Sequence, residues 1–173
     1  MTKVIRQRAE QQYSEELSEI IVQDTELKPH NWKMSPQAVL TYIMGGKLKN
    51  SFEVSPKYIG KKELVEIAIA TLLTDRALFL IGIPGTAKSW LSEHLSAAIS
   101  GNSNLIIQGT AGTMEEAVRY NWNYALLLSE GPSEKALVKS PVMLGMEQGK
   151  IVRVEELTRI AADVQDSLIT VLS

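Results

Sequence analysis

Over residues 3–22, apolar side chains recur every three to four positions: Ile5, Ala9, Tyr13, Leu17 and Ile20/Ile21 fall on one side of a 3.6-residue wheel. The pattern predicts one amphipathic helix with a narrow stripe. "QDTELKPHNW" interrupts it, because Pro29 cannot continue regular helix. "SPQAVLTYIMGG" predicts the next helix, with Ser35 as N-cap, Pro36 in the first position and Gly45-Gly46 as the stop. Residues 1–55 thus read as a helical segment, joined by the polar stretch "KLKNSFEVS" to a second domain over 56–173.

From Ser55 onward the rhythm changes. "KKELVEIAIATLL" is helical, with Leu64, Ile67, Ala68 and Leu72 on one face. "RALFLI" is a short unbroken apolar run, as in a strand buried on both faces. A glycine-rich loop and the helix "KSWLSEHLSAAIS" follow, stopped by Gly101. "NLIIQ" predicts a second strand, and Thr113 with Glu116 three residues on predicts a capping box and a further helix. "KIVRV" predicts a third strand, and Val164, Leu168, Val171 and Leu172 stripe a last helix. Strands alternating with helices predict an α/β domain with a largely parallel sheet.

Composition narrows the function classes. The 173 residues are 45% apolar and 22% charged, carry a formal net charge of −2 and contain no cysteine. A near-neutral chain without a basic stripe argues against nucleic acid or an anionic membrane as partner. Disulfides and thiolate zinc sites are excluded. The polar start lacks the apolar core of a secretory signal, and no run approaches the roughly 20 residues that span a bilayer. The expectation is a cytoplasmic protein.

The chemistry concentrates in "GIPGTAKSW". A phosphate-binding loop needs a tightly curled backbone whose N–H groups point inward, and a helix that starts there with its positive dipole end. It also needs a lysine for the β/γ-phosphates and a hydroxyl for Mg²⁺. Gly82 and Gly85 supply backbone freedom, Pro84 stiffens the turn, Lys88 carries the charge and Ser89 the hydroxyl. Ala87 departs from the general pattern, which has glycine before the lysine. It costs little at negative φ and carries strain at positive φ. A second signal lies downstream, where "KIVRVEEL" ends a predicted strand in Glu155 and Glu156. Ligands of open α/β sheets bind beyond the carboxyl ends of strands. One carboxylate there can hold Mg²⁺ through its water shell, and the next can polarise the water that attacks a γ-phosphate.

These residues resemble the AAA+ ATPases of the MoxR type and their relatives, the CobS subunit of cobalt chelatase and the dynein- and midasin-related modules. The likeness rests on "GIPGTAKS", "SPVMLGMEQGKIVRVEEL" and "TRIAADVQDSLITVLS", and covers about residues 58–173. It implies a P-loop NTPase fold with a Walker A loop at 82–89 and a Walker B strand at 151–156. ATP and Mg²⁺ are the implied cofactors. By the same likeness the backbone of Gly82, Ile83, Pro84, Gly85, Thr86, Ala87, Lys88 and Ser89, continuing into Trp90, binds phosphate. Ser89 and Glu155 serve the metal, Glu156 with Lys88 is catalytic, and Ile59 and Gly60 lie near the adenine. Alanine before the lysine is a tolerated variant in that clade. Glu155 stands where the family usually has aspartate, which lengthens the carboxylate arm.

The resemblance also implies what lies beyond this stretch: two further strands, a sensor residue, a helical lid and an arginine finger, the last worth about 10³–10⁵ in rate in related NTPases. The expectation is an incomplete core holding strands 1–3 of five. On that view the chain is a truncated portion that hydrolyses ATP poorly alone. It further implies a homo-oligomeric ring that remodels, or inserts metal into, a partner, and a neighbouring protein with a von Willebrand A-like domain. The rival reading is a non-catalytic nucleotide-binding or assembly module. A small-molecule kinase fits less well, having no reason for two glutamates at this strand end. Among the other residues, Arg119, Tyr120, Trp122 and Tyr124 read as helix packing and "SEGPSEKALV" as a surface turn. Trp32 reads as a packing anchor, His30 and His94 as isolated from any metal set, and Arg153 and Arg159 as partners in solvated ion pairs.

Overall fold

A serine hydroxyl opens the best-defined helix of the N-terminal half: Ser35 Oγ accepts the Ala38 N–H at 3.2 Å, and Pro36 follows in the first turn. The computed structural model describes residues 6–74 and 76–172. The chain divides into two compact units, Met1–Asn104 and Leu105–Ser173.

In the first unit the elements run α1 (Ala9–Gln12), α2 (Ser14–Gln23), α3 (Pro36–Met44), β1 (Gly46–Lys47), β2 (Glu53–Val54), α4 (Lys62–Leu72) and α5 (Lys88–Ser100). Helix α3 lies at the centre and packs against α2, α4 and α5, while α1 packs on α5. Val39, Tyr42, Ile43, Val65, Ile69, Leu91, Leu95 and Ile99 are fully or nearly fully buried in this core. Each such side chain contributes roughly 1.5–3 kcal/mol by leaving water. The helices before residue 55 therefore share one core with the helix that follows the glycine loop. Packing in this unit continues without interruption across residue 55.

Three expectations are corrected here. The stripe at 3–22 is two helices, broken at Tyr13 (φ −114°, ψ 29°), whose ring packs edge-on against Tyr42 and His94; Ile5 lies outside the described residues. Helix α4 buries Val65, Ala68 and Ile69 and leaves Leu64 and Ile67 exposed. Its apolar residues cover more than one face, so spacing alone does not select the inner one. The run at 77–81 forms no regular element and has no ladder partner among the described residues. Phe79 and Ile81 are 61% and 85% exposed. A strand is made by its neighbours, and an apolar run cannot report whether they are present.

In the second unit β3 (Ile106–Gln108) and β6 (Arg153–Glu155) pair in parallel, Ile107 opposite Val154 and Gln108 opposite Glu155. These are the second and third predicted strands. Between them lie β4 (Tyr120–Trp122), α6 (Tyr124–Glu130), β5 (Leu137–Lys139) and α7 (Pro141–Gln148), with β4 and β5 antiparallel. Ser140 caps α7, accepting the Met143 N–H at 3.1 Å. Helix α8 (Ala162–Leu172) closes the unit, and Val164 and Leu168 join Ile107, Val118, Val142 and Ile160 in its core. Val171 is exposed, and the side chain of Leu172 lies outside the described residues.

The helix expected from Thr113 is not formed. Its hydroxyl accepts the Thr110 N–H at 2.9 Å instead, and only a 3₁₀ turn, Glu115–Ala117, follows before β4. The reading of Tyr120, Trp122 and Tyr124 as helix packing is thereby overturned. Tyr120 and Trp122 meet edge to face on the β4 strand, and Tyr124 is largely exposed. No helix among the described residues is long and apolar enough to cross a membrane.

Candidate functional site

The glycine loop belongs to the first unit. Gly85 has φ +84°, where a side chain is strained, and Ala87 has φ 58° and ψ 25°, the left-handed region. The alanine therefore sits in the strained of its two alternatives, at about 1–2 kcal/mol. The left-handed residue turns the chain sharply into α5 at Lys88. Ala87, the N-cap residue, supplies no side-chain cap, and the first helical bond runs from Leu91 N–H to Ala87 O at 2.8 Å. The leading amides of α5 therefore point into the loop, which is the arrangement that binds an anion.

Lys88 folds back across this loop. Its Nζ donates to the carbonyls of Gly82 at 2.8 Å and Ile83 at 2.9 Å, beside Thr86 Oγ1 at 3.5 Å. Thr86 in turn donates to Ile83 O at 2.9 Å. The ammonium thus lies over the mouth of a curl whose other donors are amides, and this donor set fits a polyphosphate with its metal. Ser89, the expected metal ligand, stands exposed in the first turn of α5.

The remaining loop assignments divide. Ile59 and Gly60 lie in an exposed turn before α4, with Ile59 95% exposed. The Trp90 side chain is turned away from the loop: its Nε1 donates to Lys57 O at 2.6 Å and its ring lies 4.4 Å from that of His94. The indole is committed to packing, so only the Trp90 backbone continues the phosphate loop.

The carboxylates belong to the second unit. Glu155 ends β6, and its Oε1 accepts from Arg153 NH1 at 2.8 Å, with side-chain exposures of 18% and 10%. Alternation along a strand places residues two apart on one face, which is why this pair forms. The expectation of a solvated pair at Arg153 is corrected: the pair is largely withdrawn from water. Glu156 is exposed and left-handed (φ 54°, ψ 40°), and its carbonyl accepts the Arg159 N–H at 2.9 Å, starting the 3₁₀ turn Leu157–Arg159.

Sequence reasoning missed Gly109. Its N–H donates to Glu155 O at 2.8 Å, and a Cβ there would lie 2.5 Å from Glu156 O and 2.8 Å from Glu155 O. Only glycine lets the end of β3 come this close to the carboxylate-bearing backbone. The signal was available, since glycine directly after a strand often marks close backbone approach. Also unforeseen is a cleft of about 600 Å³ beside the end of β3, whose lining includes Gln108, Thr110, Thr113, Asn121 and Tyr124.

Comparison with known proteins places these observations. The AAA domain family of the dynein-related subfamily matches residues 77–173, more than half of the chain. An Escherichia coli (strain K12) protein described as "Uncharacterized protein YehL" is 46% identical over 161 residues, which are 93% of this chain and 44% of that protein. The chain thus spans less than half the length of this relative. No solved structure matches.

Proposed function

We propose that this chain, which belongs to the dynein-related subfamily of AAA domains, hydrolyses ATP with Mg²⁺ and uses the energy to remodel, or insert metal into, a partner protein as part of a homo-oligomeric ring. AAA membership supports nucleotide binding in general terms; the hydrolytic step and the work on a partner are our reading. The observation that carries it is the Lys88 ammonium lying across a left-handed glycine loop at the start of α5. In this reading Lys88 exchanges its two carbonyl partners for phosphate oxygens, and the leading α5 amides hold the same group. The Ser89 hydroxyl and the Glu155 carboxylate hold the metal, whose bound charge offsets that of the triphosphate. Glu156 orients the attacking water and accepts its proton. Ile59 and Gly60 face the adenine. A neighbouring protein with a von Willebrand A-like domain remains the proposed partner, and the cytoplasm the proposed location.

A second reading, a nucleotide-binding assembly module without turnover, draws support from the Arg153–Glu155 pair, which occupies the carboxylate proposed for the metal. The two are separated by substitution. Under the first, Lys88→Ala abolishes ATP binding, whereas Glu156→Gln retains binding and abolishes turnover in the complete ring-forming protein. Turnover undiminished by Glu156→Gln removes the catalytic assignment of Glu156, whereas a complete protein that binds ATP and does not turn it over leaves the assembly module.

A further inference from the structure

Trp90 occupies the third position of α5, two residues after Lys88 and one after Ser89. The indole turns away from the loop and lies against the ring of His94, one turn further along α5. Its single donor goes to Lys57 O at 2.6 Å. The Lys57 peptide is held from its other side as well, because Lys57 N–H and Tyr58 N–H both donate to Ile43 O, at 2.8 and 3.1 Å, at the end of α3. The Lys57 ammonium is anchored too. It donates to Glu16 Oε2 at 2.6 Å and lies 4.4 and 4.8 Å from the rings of Tyr13 and Tyr42. Backbone, carbonyl and side chain of one buried residue are thus fixed at once.

Two residues beyond this anchor stands Ile59, 95% exposed, followed by Gly60. Under the proposed function this exposed side chain and the glycine after it meet the flat apolar face of the adenine, so whatever holds their backbone bears on the base. The outer side of the indole is covered by Arg6, whose guanidinium lies 4.8 Å from the ring centre and is held by Glu93 at 2.7 Å. We infer that Trp90 is a positioning residue for the nucleotide: through its hydrogen bond to the Lys57 carbonyl it fixes the turn bearing Ile59 relative to the phosphate helix, and so sets affinity for the base separately from affinity for the phosphates. This rests on the proposal that Ile59 and Gly60 face the adenine, and it gives the N-terminal helices a part in nucleotide recognition.

The test compares two probes on the complete chain, ATP and inorganic tripolyphosphate, each with Mg²⁺. Trp90→Phe keeps an aromatic ring and removes the N–H. Loss of one hydrogen bond of ordinary strength corresponds to about three- to tenfold in affinity. The expected result is that loss for ATP, with tripolyphosphate binding unchanged. Ile59→Ala, at an exposed site that does not threaten the fold, is expected to show the same selectivity. The double variant is expected to lose no more than the larger single loss, because both act on one contact. Should Trp90→Phe fail to fold, Arg6→Gln removes the outer cover of the ring, and a smaller selective loss of ATP is expected. Equal weakening of both probes, no weakening of either, or additive losses in the double variant overturn the inference while leaving the loop a phosphate site. A wild-type chain that binds tripolyphosphate and ATP equally well overturns the adenine assignment beneath it. A wild-type chain that binds neither overturns the nucleotide reading itself.

Discussion

The phosphate loop and the carboxylate strand end each hold a charged side chain beside a left-handed, non-glycine residue, and they do so by opposite means. At the loop, Ala87 takes the strained conformation and its neighbour Lys88 carries the charge, resting on the loop's own carbonyls in an exposed setting. At the strand end, Glu156 takes the strained conformation and carries a charge itself, while Glu155 beside it is paired with Arg153 out of the water. The loop's charge is thus free to change partners at small cost. The strand's charge is built into its surroundings.

Substitutions can break this comparison, beginning with the largest effect. Gly109→Ala drives a methyl into the backbone carbonyls of Glu155 and Glu156, where no side-chain rotation gives relief. It is expected to destabilise the second unit by about 3 kcal/mol or more, read as an early transition in urea denaturation. Removing one charge from each region comes next. Arg153→Met leaves Glu155 largely buried and unpaired, and is expected to cost about 1–2 kcal/mol, below the 3–5 of a fully buried pair. Lys88→Met, at a half-buried site on the loop's own surface, is expected to stay within about 0.5 kcal/mol. Equal costs would erase the distinction drawn above.

The two left-handed residues sharpen it further. Glycine relieves about 1–2 kcal/mol of strain and gives back part of it through the freedom of the unfolded chain. Ala87→Gly and Glu156→Gly are therefore both expected to stabilise by about 0.5–1 kcal/mol in thermal unfolding. Ala87→Gly is expected to keep nucleotide turnover in the complete protein, and Glu156→Gly to lose it. Under the proposed function, only at the strand end does the strained residue also do chemistry.

The smallest effect is a pH dependence in the first unit. Burial lowers the Lys57 amine from its usual 10.5, against the opposing pull of Glu16. Between the lowered value and 10.5 the unfolded chain holds the extra proton, so stability rises with pH across that window. Burial, followed by the charge of Glu16, raises the Tyr42 phenol above its usual 10.0. From there upward the unfolded chain sheds a proton that the folded chain keeps, and stability falls. In urea titrations at a series of alkaline pH values, Lys57→Met is expected to flatten the rising limb and Tyr42→Phe the falling one.

What could be read in the residues follows from how local each cause is. The cap at Ser35-Pro36, the start of α5 at Lys88 and its stop at Gly101 depend on adjacent residues, and they stand where expected. Strands β3 and β6 were legible because each is apolar and bounded by turn residues. The run at 77–81 has the same local character but no partner among the described residues. At Thr113 a side-chain bond to the Thr110 amide competed with helix initiation and prevailed. In the candidate site the loop's chemistry was visible as spacing. The Arg153–Glu155 pair and the contact at Gly109 arise only when the strands have met.

The bonds that tie α1 and its leader to α5 and the loop after it join residues far apart in the chain: Arg6 with Glu93, 87 positions away, and Glu10 with Ser103, 93 positions away. Such contacts demand closure of a long loop before they return any energy, which slows their formation. During synthesis the first helices leave the ribosome well before their partner exists. Helix α5 therefore seats on α1 only after a long loop has closed, and the glycine loop at its head depends on that late contact for its setting.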